Sequence, residues 1–403
     1  MNVNEWEDTD VARFLFVILP VTSHINPALA ISGQLMENGH DVAWCGPESD
    51  LRPLVGPAAT IYPTGKRAYR QYAETGMAAA RVLWDGYLIP VNRFILPAAD
   101  RAVADDRPDV VVADQYALAG ALAALRHGTR WASLCTGAME LTPPAQELPG
   151  LAAWVQAQLA RAWAMADLPV DETIDLRFSP YLAIALTTTA LTGAAPLPAS
   201  CVLVGPALGR RPAAPGFAWD AWDQARRHVL VTVGTASEHM ARDFYARTVA
   251  ALRPMTDRLQ PVLVASADLV PDPPRRALIA AQVPMLDLLP RLDAVICHGG
   301  MGTVTEALAH GVPLVVAPMR HDQPVVARQV AEAGAGVEVS FDSASPADLA
   351  NAVRAVLEEP RYRASARRIA DSFAAAGGAR AAAAHLAALA SGKRAAAAED
   401  EDG

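Results

Sequence analysis

Short unbroken runs of aliphatic and β-branched residues recur along the chain. Each is followed by a longer stretch in which apolar positions return at helical spacing. The first half has such runs at residues 14–19, 41–45, 109–113 and 131–135, with helix-period stretches at 27–37 and 117–126. Apolar strands without polar alternation, separated by helices, predict parallel sheets covered on both faces. Between 209 and 226 the text changes to GRRPAAPGFAWDAWDQAR, rich in Pro, Gly and Arg and without period, which reads as an interdomain linker. The pattern then restarts at 228–233, 261–265, 294–297 and 313–317.

The expected fold is therefore α/β, with two tandem Rossmann-like, doubly wound parallel-sheet domains facing each other across a cleft. Ligands are expected at the carboxyl ends of the strands. The expected boundaries are 1–209, a linker at 210–226, and 227–391 with alanine-rich terminal helices over 346–390. Residues 392–403, GKRAAAAEDEDG, form a charged tail with nothing to bury and are expected to be disordered.

Composition narrows the partners. A chain of 403 residues with 52% hydrophobic content can fill two cores, and a net charge of -9 leaves no basic field for nucleic acid. The four cysteines lie far apart, without metal-like spacing, and read as buried reduced thiols of a cytoplasmic protein. The start, MNVNEWEDTD, is acidic where a secretory signal would be basic and then apolar. Apolar stretches at 151–168 and 181–195 are broken by Gln156, Arg161 and Asp167, or by threonines followed by Gly and Pro, so core elements are expected and not membrane spans. The tail acids, EDED, read as a solvated run, and no protein-held divalent cation or other cofactor is expected.

Two residues at strand ends suggest proton chemistry. In VILPVTSHINPALA the strand ends near Leu19 and Pro27 suits a helix start, which leaves Ser23 and His24 in a turn at the carboxyl edge of the sheet. Asp114 closes the run VVVAD at the same edge. Alone, the histidine reads equally as a surface loop residue and the aspartate as a helix N-cap. Together they can act as a pair, because an Asp accepting from one imidazole nitrogen prepares the other to take a hydroxyl proton.

The segment AVICHGGMGTVTEALAHGVPLVVAPMRHDQ, from residue 294, is the richest. A buried strand delivers His298 and a glycine turn (Gly299, Gly300, Gly302) into a helix starting near Thr303, where bare backbone amides can bind phosphate. Glu306, further along that helix, can accept ribose hydroxyl protons or simply complement the helix dipole. Asp322 and Gln323 can bind vicinal sugar hydroxyls or cap the helix that follows.

From SHINPALAISGQLMENGHDV to the helices after Pro346, the whole chain resembles GT-B inverting glycosyltransferases of the family-1 type, particularly bacterial enzymes that glycosylate antibiotics and other natural products. The resemblance implies that His298, Gly300, Gly302 and Thr303 contact a diphosphate, that Glu306 takes the ribose, and that Asp322 and Gln323 hold the sugar. VTVGTAS resembles a second phosphate-side loop, adding Gly234 and Thr235. QVPMLDLLP occupies the place of the nucleobase pocket, where Gln282 stands instead of the stacking Trp of plant enzymes and the main chain around Val283 reads the base. His24 falls on the family's base and Asp114 on the acid that orients it, with Ser23 where the family often has Gly.

The implied activity is inverting transfer of a hexose or deoxyhexose from a UDP- or dTDP-sugar to a hydroxyl of a hydrophobic natural product, without metal. Six aromatics in residues 62–94 (Tyr62, Tyr69, Tyr72, Trp84, Tyr87, Phe94), against 6% aromatics overall, suit a flat apolar acceptor, as does Met139. Tyr69, Trp84, Tyr87 and Met139 are the acceptor candidates, with ordinary helix packing as the competing reading. Two other functions share the carboxy-terminal signature: a GT-B nucleotide-sugar epimerase or cell-wall sugar transferase, and a catalytically silent activator partner of a transferase.

Overall fold

The computed structural model describes residues 11–65, 74, 76–137, 141–142, 150–194, 196–209, 211, 216–234 and 240–392. The first sheet is built from β1 (Arg13–Val17), β2 (Asp41–Gly46), β3 (Thr60–Pro63), β4 (Val110–Asp114), β5 (Arg130–Cys135), β6 (Ala183–Ala185) and β7 (Cys201–Leu203). The second is built from β8 (Arg227–Thr232), β9 (Leu259–Val264), β10 (Leu278–Ala280), β11 (Ala294–Cys297), β12 (Leu314–Val316) and β13 (Gly336–Glu338). Their orders are β3-β2-β1-β4-β5-β6-β7 and β10-β9-β8-β11-β12-β13. The neighbours are parallel throughout both sheets. Both chains of strands reverse direction across the sheet at one point, between β1 and β4 and between β8 and β11, and such a reversal opens a crevice for ligands.

The absence of alternation in the strands has the expected cause. Leu15 and Val17 of β1 pack under the helices Ile89–Asp106 and Leu118–His127, while Phe14 and Phe16 pack on the opposite face. The central strand β1 thus buries both sets of side chains. All eight strands read from the pattern are present. The five that it missed, β3, β6, β7, β10 and β13, are as short as β11 and β12, but four of them lie at sheet edges and are only partly buried.

The terminal helices divide differently from the expectation. Pro346–Glu358 and Pro360–Ala376 join the second sheet, with Val353, Ile369 and Phe373 in its cores. The last helix, Gly378–Ala390, crosses back: Ala382, Ala383, Leu386 and Leu389 complete the core that holds Phe14, Phe16, Ile31 and Leu35 of the first domain. The reversal is made at Gly377, with φ 87°, where a side chain would be strained. Gly378 N–H then donates to Val204 O (2.7 Å), and Arg130 Nη2 holds Ala390 O at the far end (2.7 Å). Residues 360–390 together have the length and hydropathy of a membrane span, but they form two helices packed on different sheets.

Candidate active site

The first half of the site straddles the reversal between β1 and β4. The helix Thr22–Glu37 begins earlier than expected and takes Pro27 into its interior, so His24 lies in its first turn and not in a loop. Asp114 is the last residue of β4, wholly buried, and its Oδ2 lies 2.6 Å from His24 Nδ1. Its Oδ1 accepts from Tyr116 N–H (2.9 Å). Asp114 is therefore not a helix cap: the next helix, Leu118–His127, has Ala117 at its N-cap position. Thr136 Oγ1 lies 2.9 Å from the same His24 nitrogen, and the Tyr116 ring lies beside the imidazole with centroids 5.9 Å apart.

The second half straddles the reversal between β8 and β11. β11, AVIC, is buried along its length and ends at His298. Gly299 turns the chain with φ 85°, and Gly300 then serves as N-cap of the helix Met301–Ala309. The N-cap residue, Gly300, has no side chain to offer, so among the described residues the first-turn amides at Met301, Gly302 and Thr303 receive no side-chain cap from it. The His298 imidazole is clamped between two glycines. A Cβ on Gly234 would stand 2.8 Å from His298 Cε1, and one on Gly300 would stand 2.8 Å from Nε2. Burial, and then the Arg320 guanidinium, push the His298 pKa down to about 4, so the ring is neutral at pH 7. His321, with φ 59° in the next turn, is held down to about 4 by the same two causes.

Gly234 also adopts φ 70°, so Gly234→Ala combines backbone strain with a push on His298. We expect this variant to fold but to bind nucleoside diphosphate at least about tenfold more weakly, since a shift near 1 Å in a ligand-contacting group is costly. Titration calorimetry checks this, and parental affinity would show that the loop has room.

The remaining expected donor residues are engaged within the protein. Glu306 offers both carboxylate oxygens to the guanidinium of Arg211 in the linker. Gln323 is buried, and its Oε1 accepts from the amides of Met319 and Arg320 (2.9 and 3.0 Å), which fixes the turn before the helix Gln323–Glu332. Asp322 stands at the N-cap position of that helix without making a side-chain capping bond. Val283 lies in the segment after β10, half-buried against the second core.

Among the acceptor candidates, Trp84 and Tyr87 follow the competing packing reading. They are 1% and 4% exposed, in one core cluster with Leu15, Val17 and Leu19, and so do not face an open cleft. They sit in a π-wound segment, Val82–Leu88, whose register the spacing did not suggest. Tyr69, Met139 and Thr235 lie outside the described residues, as does the tail beyond Gly392.

Several neighbours of the site were not singled out from sequence. Thr136 directly follows β5, so the strand-end logic that found Asp114 also applies to it. Arg320, 4% exposed and acting on both low-pKa histidines, lies inside the MRHDQ turn. Arg211 had no local signal, because its partner is 95 residues away. The two halves face each other closely: a Cβ on Gly302 would be 3.6 Å from the Ser23 side chain, and Gln329 Nε2 donates to Thr142 Oγ1 (2.7 Å) across the domains. Among the described residues, no group of three or more His, Cys, Asp or Glu side chains converges as metal ligands.

Two parallel-sheet domains with a His–Asp pair on one crevice and a glycine-turn helix on the other define a GT-B enzyme, and comparison with known proteins agrees. Residues 263–389 match the family "Erythromycin biosynthesis protein CIII-like, C-terminal domain". The chain is 30% identical to 4'-demethylrebeccamycin synthase of Lentzea aerocolonigenes, over 90% of this chain and 96% of that one. It is likewise 30% identical to demethyllactenocin mycarosyltransferase of Streptomyces fradiae, over 91% of this chain and 84% of that one. The crystal structure of the glycotransferase of kitacinnamycin superposes with TM-score 0.78 at 23% identity, covering 94% and 99% of the two chains. The chain belongs to the family-1 GT-B glycosyltransferases of natural-product biosynthesis, and it is a glycosyltransferase of the antibiotic-biosynthesis type.

Proposed function

We propose that the protein transfers a hexose or deoxyhexose from a UDP- or dTDP-sugar to a hydroxyl of a hydrophobic natural-product acceptor, with inversion and without a metal, in the cytoplasm. The observation that carries this reading is the 2.6 Å pairing of His24 Nδ1 with the buried Asp114, at the crevice facing the glycine turn. Asp114 keeps the ring proton on Nδ1, so Nε2 takes the acceptor's hydroxyl proton. The resulting oxygen nucleophile attacks the anomeric carbon from the face opposite the leaving group. The C1–O bond to the nucleoside diphosphate breaks, and the amides of Met301, Gly302 and Thr303, with neutral His298, receive the developing charge.

The test is a panel of nucleotide sugars with polyhydroxylated apolar acceptors in EDTA-treated buffer. The expected result is nucleoside diphosphate released in step with glycoside, the product carrying the opposite anomeric configuration by NMR. Retained configuration, or turnover only after magnesium is restored, would overturn the corresponding part of the mechanism.

Glu306 is assigned to the ribose, which takes its carboxylate beside or in place of Arg211. Glu306→Ala removes a contact made in both the ground and transition states, so KM for the donor should rise about tenfold or more while kcat changes little. Initial rates against donor concentration decide this; a fall confined to kcat would remove Glu306 from the donor seat.

A further inference from the structure

One buried polar side chain stands behind the base without touching it. Asn92, on the helix Ile89–Asp106, is wholly enclosed, yet its polar atoms are bonded to three separate backbone groups. Its Nδ2 donates to Leu88 O (2.9 Å), where the π-wound segment passes into regular helix, and to Tyr116 O (2.8 Å). Its Oδ1 accepts from Ala119 N–H (2.8 Å), a first-turn amide of the helix Leu118–His127, whose own N-cap residue is an alanine and cannot cap it. Asn92 thus caps that helix from another element and grips the short turn that leads into it.

That turn carries the acid. Tyr116, held through its carbonyl by Asn92, donates its own N–H to Asp114 Oδ1, and the other oxygen of Asp114 holds His24. The bonds run in series: Asn92, the Tyr116 peptide, the Asp114 carboxylate, the His24 imidazole. We infer that Asn92 is a positioning residue for the transfer step, fixing the direction in which Asp114 presents its carboxylate to His24. This rests on the proposed role of His24 and Asp114. The effect is large because general-base work tolerates little displacement, and an error near 1 Å can cost about a hundredfold in rate. It also joins the packing of Trp84 and Tyr87 to the chemistry, since the segment that carries them ends on the same asparagine.

A double-mutant cycle tests this. Asn92→Ser is made alone and with Asp114→Asn. For each protein we measure kcat at saturating substrates, the pH dependence of kcat, and the affinity for UDP and dTDP by calorimetry. Asn92→Ser should lower kcat about 10-fold to 100-fold, while nucleotide affinity, set by the second domain, stays within about twofold of the parent. The acid limb of its pH profile should move down, as in Asp114→Asn, because a loosened carboxylate supports the imidazolium less. In the Asp114→Asn background the same substitution should cost less than about threefold, since the route through which it acts is already broken.

Equal losses in both backgrounds would overturn the inference and mark Asn92 as a general packing residue; so would parental kcat in folded Asn92→Ser. Should Asn92→Ser fail to melt cooperatively, Asn92→Asp carries the same cycle, because it keeps the size and the acceptor for Ala119 while losing the donor to Tyr116. Failure of both to fold would assign Asn92 to stability alone. Parental turnover by Asp114→Asn would instead overturn the base assignment on which the inference rests.

Discussion

His24→Ala is expected to bind nucleoside diphosphate as the parent does and to lose transfer to a hydroxyl acceptor by at least about a hundredfold, the usual scale of a general-base contribution. The separation follows from the architecture. His24 belongs to the first domain, whereas the glycine turn proposed to hold the diphosphate, with its clamped His298, belongs to the second. Removing the imidazole therefore leaves the donor seat intact. It also strips one partner from the buried Asp114 carboxylate, which keeps the Tyr116 amide but loses the imidazole N–H. The melting temperature should fall accordingly, with a cost of about 1–3 kcal/mol for an under-satisfied buried group. Asp114→Asn should lose much of the rate as well, because its oxygen is held by the Tyr116 N–H and its amide then donates to Nδ1, which moves the ring proton to Nε2. Near-parental transfer by His24→Ala would place the base elsewhere, and weakened nucleotide binding as its main effect would show that the two halves of the site had been exchanged.

The second large effect concerns stability. A chain ended at Gly377 lacks the helix that seats Ala382, Ala383, Leu386 and Leu389 in the first domain's core. Withdrawing two buried leucines forfeits about 1.5–3 kcal/mol each before the alanines and the exposed wall are considered. That approaches the whole margin of a typical domain, about 5–15 kcal/mol. The shortened protein should be insoluble, or should melt in two steps with the first domain lost early. By contrast, a chain ended at Ser391, which removes only the charged tail, should keep its melting temperature and activity, because such a segment has no core to join. Calorimetry on the pair separates the two, and equal melting curves would mean that the last helix adds no net stability.

The sequence was most informative where topology does the positioning. A doubly wound sheet brings every strand's carboxyl end to one edge, so residues that close buried runs, such as His298 and Asp114, fall into the crevice whatever the rest of the chain does. The local setting of His24 differs from the expectation: Pro27 suits a helix start, whereas the helix begins five residues earlier. Faces were harder to read than ends. The spacing of Trp84 and Tyr87 is the same whether they line a pocket or a core, and the π-winding that turns both inward has no periodic signature. Long-range pairs were invisible. Nothing near Glu306 announces Arg211, and nothing in the alanine-rich terminus states which sheet its last helix will cover, since small apolar residues fit either.

That returning helix changes what can be recombined. Topologically, the second domain is an insertion in the first: the chain leaves near Leu208, builds the whole second sheet, and re-enters at Gly378. A chimaera that takes a relative's second domain through a single junction in the linker also imports a foreign wall for the first domain. Phe14, Ile31 and Leu35 would then meet side chains selected against a different surface. An exchange with two junctions, one in the linker and one at the Gly377 turn, keeps each core with the residues that fill it. It also confines any mismatch to the surface where the two domains face each other.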